Sequence, residues 1–218
     1  MIPYYDDGNG IQIYHGDCRE ILPTLEPVDL VLTDPPYNVQ LKYVGFVDAM
    51  WIDAYRRFSR EWWVLAMTLG AGRVVLTPGP SNLSFWACLE PAWIYCWRTS
   101  SNTPGGRAAR RLGWEPLVAF AFPLKPFATD VLDYAISAQR GTGGHPCPNP
   151  FGLFKVVIDR WSTGTILDPF MGIGTTLVAA KELHRKAIGC EIEEAYCEIA
   201  ANRLAQGVLP YGTSEEQT

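Results

Sequence analysis

Short apolar runs alternate with amphipathic stretches along most of this 218-residue chain. Runs rich in Val, Ile and Leu predict buried strands, and we expect these at 11–14, 28–33, 73–77, 93–97, 116–122, 165–168 and 186–190. Apolar positions at helical spacing predict helices near 18–25, 48–69, 151–160, 176–184 and 193–206. Strands that alternate with helices indicate an α/β fold with a largely parallel sheet.

The strands at 93–97 and 116–122 depart from this alternation, because no helical pattern separates them. The segment between them is polar and contains Gly105 and Gly106. Parallel neighbours need a long crossover, usually a helix, whereas antiparallel neighbours do not. We therefore expect these two strands to pair antiparallel, which makes the sheet mixed.

One candidate site follows the strand at 28–33, in the motif Thr33-Asp34-Pro35-Pro36-Tyr37. Asp34 is expected at the carboxyl end of that strand, where open α/β sheets bind their ligands. The two prolines fix the backbone and remove two N–H donors. A carboxylate, a rigid carbonyl and an aromatic ring together suit a planar heterocycle that carries an NH2 group. A proline turn capped by an aspartate would explain the same residues without a ligand.

A second motif, Asp168-Pro169-Phe170-Met171-Gly172-Ile173-Gly174-Thr175-Thr176, links a predicted strand to a predicted helix. Its two glycines allow a sharp turn and a close approach to a ligand, and its threonines could cap the helix. Glu191 ends the next predicted strand, about 20 residues later, a spacing that suits hydrogen bonds from ribose hydroxyls. Because the glycine pattern is not Gly-x-Gly-x-x-Gly and no Walker lysine follows, adenosine without a pyrophosphate fits best.

The two motifs, in this order, resemble the beta-class (permuted) DNA amino-methyltransferases of the N6-adenine/N4-cytosine family. The resemblance implies a Rossmann-like fold that depends on S-adenosylmethionine, with a seven-stranded mixed sheet flanked by helices. It also implies methyl transfer to the exocyclic N6 amine of adenine in DNA. The acid at Asp34 favours adenine, because cytosine-modifying relatives more often carry serine there. N4-cytosine methylation and a non-catalytic nucleic-acid-binding relative are the alternatives.

In this resemblance, the catalytic residues are Asp34, Pro35, Pro36 and Tyr37. Asp34 and the Pro35 carbonyl would hold the two amine hydrogens, so that the nitrogen lone pair faces the methyl donor. The residues implied for the donor are Asp17, Cys18, Asp34, His145, Asn149, Asp168, Phe170, Gly172, Gly174, Thr175, Thr176 and Glu191.

The element that contains His145 departs from the family pattern at two positions. Cys147 replaces the usual threonine, and Asn149 replaces the usual lysine. Asn149 could hydrogen-bond the carboxylate of the donor but supplies no charge. We therefore expect donor affinity below the family norm.

DNA is the expected partner, although the net charge of −5 argues mildly against phosphate binding. Basic residues that could contact the backbone are Lys42, Arg107, Arg110 and Arg111. A target amine inside a duplex would have to be flipped out, or be offered on a single strand. A second copy of the chain is a plausible partner, since permuted members are often dimers.

We expect one methyltransferase domain over residues 1–218, without a separate target-recognition domain. The segments 38–47, 99–113 and 123–144 are the candidate DNA-contacting insertions. We expect no metal, since the six cysteines form no Cys-x-x-Cys pair. The apolar runs are too short to cross a membrane, and the expected location is the cytoplasm.

Overall fold

A computed structural model describes residues 1–40, 49–70, 72–98, 113–134 and 150–206. Its strands are β1 (Tyr5–Asp6), β2 (Ile11–His15), β3 (Leu30–Thr33), β4 (Val74–Leu76), β5 (Trp93–Arg98), β6 (Trp114–Ala119), β7 (Val131–Asp133), β8 (Ile166–Asp168) and β9 (Ala187–Glu191). They form one sheet in the order β1-β2-β9-β8-β3-β4-β6-β5-β7. All seven predicted strands are present, and the short edge strands β1 and β7 extend the sheet beyond them.

The helices are α1 (Cys18–Ile21), α2 (Ile52–Leu69), α3 (Leu83–Ala87), α4 (Phe151–Trp161), α5 (Thr175–Glu182) and α6 (Glu194–Ala205). The five predicted helices are present, and α3 is an addition that is too short to show a period. The first helix was predicted to reach residue 25. It ends at Ile21 and continues as a 3-10 turn over Leu22–Thr24, with Pro23 inside that turn.

The direction of the strands determines where a ligand can bind. Strands β2, β9, β8, β3 and β4 run parallel to one another. Their carboxyl ends therefore lie along one edge of the sheet, which we call the carboxyl edge. Strand β6 pairs antiparallel with β5, as predicted. It also pairs antiparallel with β4, so its first residues lie at that same edge.

Helices cover both faces of the sheet and bury the alternate side chains of its strands. On one face, Leu30 and Leu32 pack in a core that includes residues of α4, α5 and α6. On the other, Val31 packs with residues of α1, α2 and α3, among them Trp62 and Trp86. This is the predicted Rossmann-like architecture. Within the described ranges, no helix has both the length and the apolar character needed to cross a membrane.

Candidate active site

Four acidic residues lie along the carboxyl edge. Asp34 follows β3, Asp168 ends β8, Glu191 ends β9, and Asp17 follows β2 after one glycine. The ends of β2 and β9 are held in register by a hydrogen bond of 2.8 Å from the Gly16 N–H to the Glu191 carbonyl. The two motifs that lie far apart in the sequence therefore form one site.

The Asp34 carboxylate is oriented by two hydroxyl groups. Thr77, which follows β4, donates to Asp34 Oδ1 at 2.7 Å, and the Tyr37 hydroxyl donates to the same oxygen at 2.5 Å. Burial, with Asp34 as a nearby negative charge, raises the pKa of Tyr37 well above its ordinary value, so the phenol keeps its hydrogen. Asp34 is thus a fixed acceptor at the edge of the sheet.

Two further side chains hydrogen-bond the backbone of the first motif. The Tyr55 hydroxyl of α2 donates to the Pro36 carbonyl at 3.0 Å. The Asn82 side-chain amide donates to the Tyr37 carbonyl at 2.8 Å. Together with the fixed proline backbone, these bonds make the segment a rigid support for Asp34.

The Tyr37 ring lies against Gly79. A Cβ atom on Gly79 would lie 2.8 Å from Tyr37 Cδ2, and the φ of Gly79 is +68°. Gly79→Ala should therefore displace the Tyr37 ring and lower the free energy of unfolding by about 1–3 kcal/mol more than the same substitution at an uncrowded glycine. Gly72→Ala is the matched control, because Gly72 has a φ of +83° but nothing within 4 Å of its added Cβ. Equal free energies of unfolding for the two variants in urea denaturation would contradict this contact.

Glu115 is a further acid at this site, to which the sequence analysis assigned no role. It lies near the start of β6, and the Tyr37 hydroxyl is 3.3 Å from its Oε2 atom. Burial and the negative charge of Asp34 raise the pKa of Glu115 to about 7. No local motif marks Glu115, because it is the pairing of β6 with β4 that carries the beginning of β6 to the carboxyl edge.

Asp168 connects the two motifs. Its Oδ1 atom accepts hydrogen bonds from the Thr33 hydroxyl at 2.7 Å and the Phe170 N–H at 3.1 Å. Its Oδ2 atom accepts from the Thr176 hydroxyl. The residue is 3% exposed, and burial raises its pKa to about 6. Asp168 therefore organises the glycine turn from inside the protein.

The expectation that a threonine hydroxyl caps α5 is wrong. The N-cap is Gly174, in the left-handed conformation with φ of +82°, and Thr175 and Thr176 lie inside the helix. The Thr176 hydroxyl is engaged by Asp168 instead. A Cβ atom on Gly174 would come within 2.9 Å of the Ala200 Cβ, so the turn packs closely against α6.

The Glu191 carboxylate lies over the glycine turn. Its Oε2 atom accepts from the Gly172 N–H at 3.0 Å, and its Oε1 atom accepts from the Glu193 N–H at 2.9 Å. Burial raises its pKa to about 7. Each carboxylate oxygen can accept a second hydrogen bond, as contact with a ribose hydroxyl pair requires.

Asp17 and Cys18 lie beside this end of the sheet. Asp17 caps α1 by accepting from the Arg19 N–H at 2.9 Å, and the Arg19 guanidinium bridges Asp17 and Glu61. Cys18 is buried, which raises its pKa to about 12, so its side chain behaves as a small apolar group.

Phe170 is held on the outer side of the turn. Its ring packs against Trp62 and Phe58 of α2, with centroids 5.2 Å and 5.9 Å away. The position of the ring is thus set by α2 as well as by the second motif.

Several predicted site residues lie outside the described residues. They are Lys42, Arg107, Arg110, Arg111, His145 and Asn149. Of the candidate DNA-contacting segments, the described parts are 38–40, residue 113 and 123–134. Asn38, at the start of the first segment, donates to the Met50 carbonyl at 3.0 Å and accepts from the Met50 N–H at 2.5 Å.

Comparison with known proteins agrees with the geometry. The sequence pattern of a DNA methylase family, N6_N4_Mtase, matches residues 108–202. The type II methyltransferase M.ScaI of Streptomyces caespitosus is 27% identical, over 93% of this chain and 83% of its own length. The type II methyltransferase M2.LlaDCHI of Lactococcus lactis subsp. cremoris is 25% identical, over 96% of this chain and 94% of its own length.

A solved structure has the same fold. The crystal structure of the M1.HpyAVI-SAM complex superposes with a TM-score of 0.67 at 25% identity, and the match covers 89% of this chain and 98% of that one. The relatives found by sequence and by fold are thus of one kind. They agree with the two motifs that lie at the carboxyl edge. The chain is similar to DNA methylases of the N6-adenine/N4-cytosine family.

Proposed function

We propose that this protein transfers a methyl group from S-adenosylmethionine to the exocyclic N6 amine of adenine in DNA. The observation that supports this most is the position of Asp34. Its carboxylate is fixed by Thr77 and Tyr37, and the neighbouring Thr33 bonds to Asp168 of the glycine turn. The acceptor for an amine and the turn for a nucleoside therefore share one hydrogen-bonded framework.

The residues around the turn fit the donor. Glu191 is a buried carboxylate with remaining acceptor capacity, suited to the ribose hydroxyls. Gly174, the left-handed N-cap residue of α5, has no side chain that would cover the start of the helix. When bound, S-adenosylmethionine supplies an electrophilic methyl group on a positively charged sulfur. In the same proposal, Asp17 and Cys18 lie at the adenine ring of the donor.

The residues around Asp34 would hold the target amine. An exocyclic amine is a weak nucleophile because its lone pair is delocalised into the ring. When Asp34 accepts one of its hydrogens, the lone pair is localised on nitrogen and the amine is oriented for attack. Because Asp34 and Tyr37 are half-buried at this edge, the base must leave the stack or come from a single strand.

Adenine is favoured over cytosine by the acid at Asp34, as the family resemblance implies. The test is nucleoside mass spectrometry of unmethylated double- and single-stranded DNA after incubation with the protein and the donor. We expect N6-methyladenine, and none with Asp34→Ala. N4-methylcytosine would keep the mechanism and overturn the base assignment. Absence of both products with the wild-type protein would contradict the proposed function.

Donor binding should depend on pH through Glu191. Since ribose hydroxyls donate to the ionised carboxylate, binding should displace the proton that this group carries below its pKa of about 7. Affinity should therefore rise by up to about tenfold per pH unit below that pKa and level off above it. Calorimetry in buffers of different ionisation enthalpy would show the released proton.

Two variants test this assignment of the proton. Glu191→Gln should bind the donor weakly and without a released proton. Glu198→Gln, which changes an exposed acid of α6, should behave as the wild type. A proton released equally by Glu191→Gln would show that another group carries it.

A further inference from the structure

Glu115 and Asp34 lie on either side of one hydroxyl group, that of Tyr37. The distance from the Tyr37 oxygen is 2.5 Å to Asp34 Oδ1 and 3.3 Å to Glu115 Oε2. A single phenol hydrogen thus has two acceptors, one on β6 and one after β3. A rotation of that hydrogen would connect Asp34 to Glu115 without moving a heavy atom.

Methyl transfer to an amine produces a proton that must leave the site. The amine lone pair forms the N–C bond while the carbon–sulfur bond breaks and its electron pair stays on sulfur. The nitrogen then carries a positive charge and loses one hydrogen as a proton. In the proposed function Asp34 accepts a hydrogen bond from that hydrogen. The ionised carboxylate of Asp34 must therefore be restored before the next turnover.

We propose that the Glu115 carboxylate accepts this proton through the Tyr37 hydroxyl. As the proton moves onto Asp34 Oδ1, the phenol oxygen takes it and the original phenol hydrogen passes to Glu115 Oε2. The result is a protonated Glu115, a restored Asp34 carboxylate and an unchanged phenol. Glu115 is therefore a positioning residue that acts through Tyr37, and this inference rests on the proposed function.

The surroundings of Glu115 favour this role. Burial and the Asp34 charge raise its pKa to about 7, while the Tyr37 hydrogen bond lowers it, so the carboxyl can take and release a proton near neutral pH. Strand β5 places Trp97 opposite Glu115, and Thr77 after β4 donates to Asp34. Within the described residues, Asp34 and Tyr37 are the titratable groups that act on it.

The first test is the pH dependence of single-turnover methylation at saturating donor, from about pH 5.5 to 9. The wild-type rate should rise about tenfold per pH unit below the Glu115 pKa and then level off. Glu115→Gln should lose that inflexion and react roughly 100-fold more slowly on the plateau. Tyr37→Phe, which keeps the ring, should show the same loss of rate and of inflexion. The variant with both substitutions should be no slower than the slower of the two single variants.

Glu26→Gln is the matched control, because Glu26 is exposed and precedes β3, at the opposite edge of the sheet. It should keep the wild-type profile. Glu115→Gln with the wild-type rate and inflexion would overturn the inference while leaving the proposed function intact. A wild-type protein that methylates no DNA would overturn both.

A second readout needs no turnover. The protein is labelled with ¹³C at its glutamate carboxyl groups, and the Glu115 resonance is identified by its absence from the spectrum of Glu115→Gln. That resonance should titrate with a pKa of about 7. Its pKa should rise in Tyr37→Phe, because the phenol hydrogen bond that stabilises the carboxylate is gone. An unchanged pKa in Tyr37→Phe would show that the two groups are not coupled and would overturn the relay.

Discussion

Replacing Asp34 with asparagine is expected to lower the single-turnover methylation rate at least ~1,000-fold, as loss of a preorganised electrostatic contact does. Asparagine keeps the shape of the side chain, and its amide oxygen can still accept from Thr77 and Tyr37. Its NH2 group, however, would face the hydrogens of the target amine, so that two donors meet. The loss should therefore come from the transition state and leave donor affinity within about twofold.

The measurement is rapid-quench transfer of a labelled methyl group, with calorimetry of donor binding on the same samples. Asp53→Asn serves as the control, because Asp53 is an exposed acid in the first turn of α2. A rate for Asp34→Asn within about tenfold of the wild type would mean that the contact is not made in the transition state. A parallel loss of donor affinity would instead point to a collapsed site.

Much of this site was predictable from the apolar runs, since parallel strands bring their carboxyl ends to one edge. Asp34, Asp168 and Glu191 each follow or end such a run, and the structure brings all three to that edge. Glu191 also reaches the glycine turn, where it accepts from the Gly172 N–H, because one helix and one strand separate the two. Residues at the ends of long, well-defined elements were therefore accessible to pattern reasoning.

Contacts made across the sheet were not predictable in the same way. Thr77 reaches Asp34 because β4 lies next to β3, and Glu115 reaches Tyr37 because β6 pairs with β4. These pairings are set by packing between distant segments, and no local pattern reports them. Strands β1 and β7 were missed because two or three residues are too few to show alternation.

The cap of α5 shows a third reason for error. A threonine at a helix start usually caps it, but the buried Asp168 carboxylate needs donors, and Thr176 supplies one. The helix then begins from Gly174, whose left-handed backbone lets the turn pass close to Ala200. A buried acid thus outweighed the local capping preference, since an unsatisfied buried carboxylate costs more than a missing cap.

Asp168 should consequently be the acid whose removal destabilises the protein most. Asp168→Ala leaves the Thr33 and Thr176 hydroxyls and the Phe170 N–H without their acceptor in a buried site. We expect the free energy of unfolding to fall by about 2–4 kcal/mol. Asp168→Asn, which keeps one acceptor oxygen and the volume, should lose less. Urea denaturation followed by fluorescence would measure both variants.

The pH dependence of stability tests the burial of the Asp168 carboxyl group. The pKa of Asp168 is raised to about 6 in the folded protein, so the folded state holds more protons than the unfolded state between about pH 4 and 6. Its contribution to stability is therefore full below the unfolded pKa and is lost as the pH rises through the folded pKa. The stability difference between wild type and Asp168→Asn should shrink over that interval. A difference that is constant with pH would mean that the hydrogen bonds to the carboxylate offset its burial, so that its pKa is not raised in the folded protein.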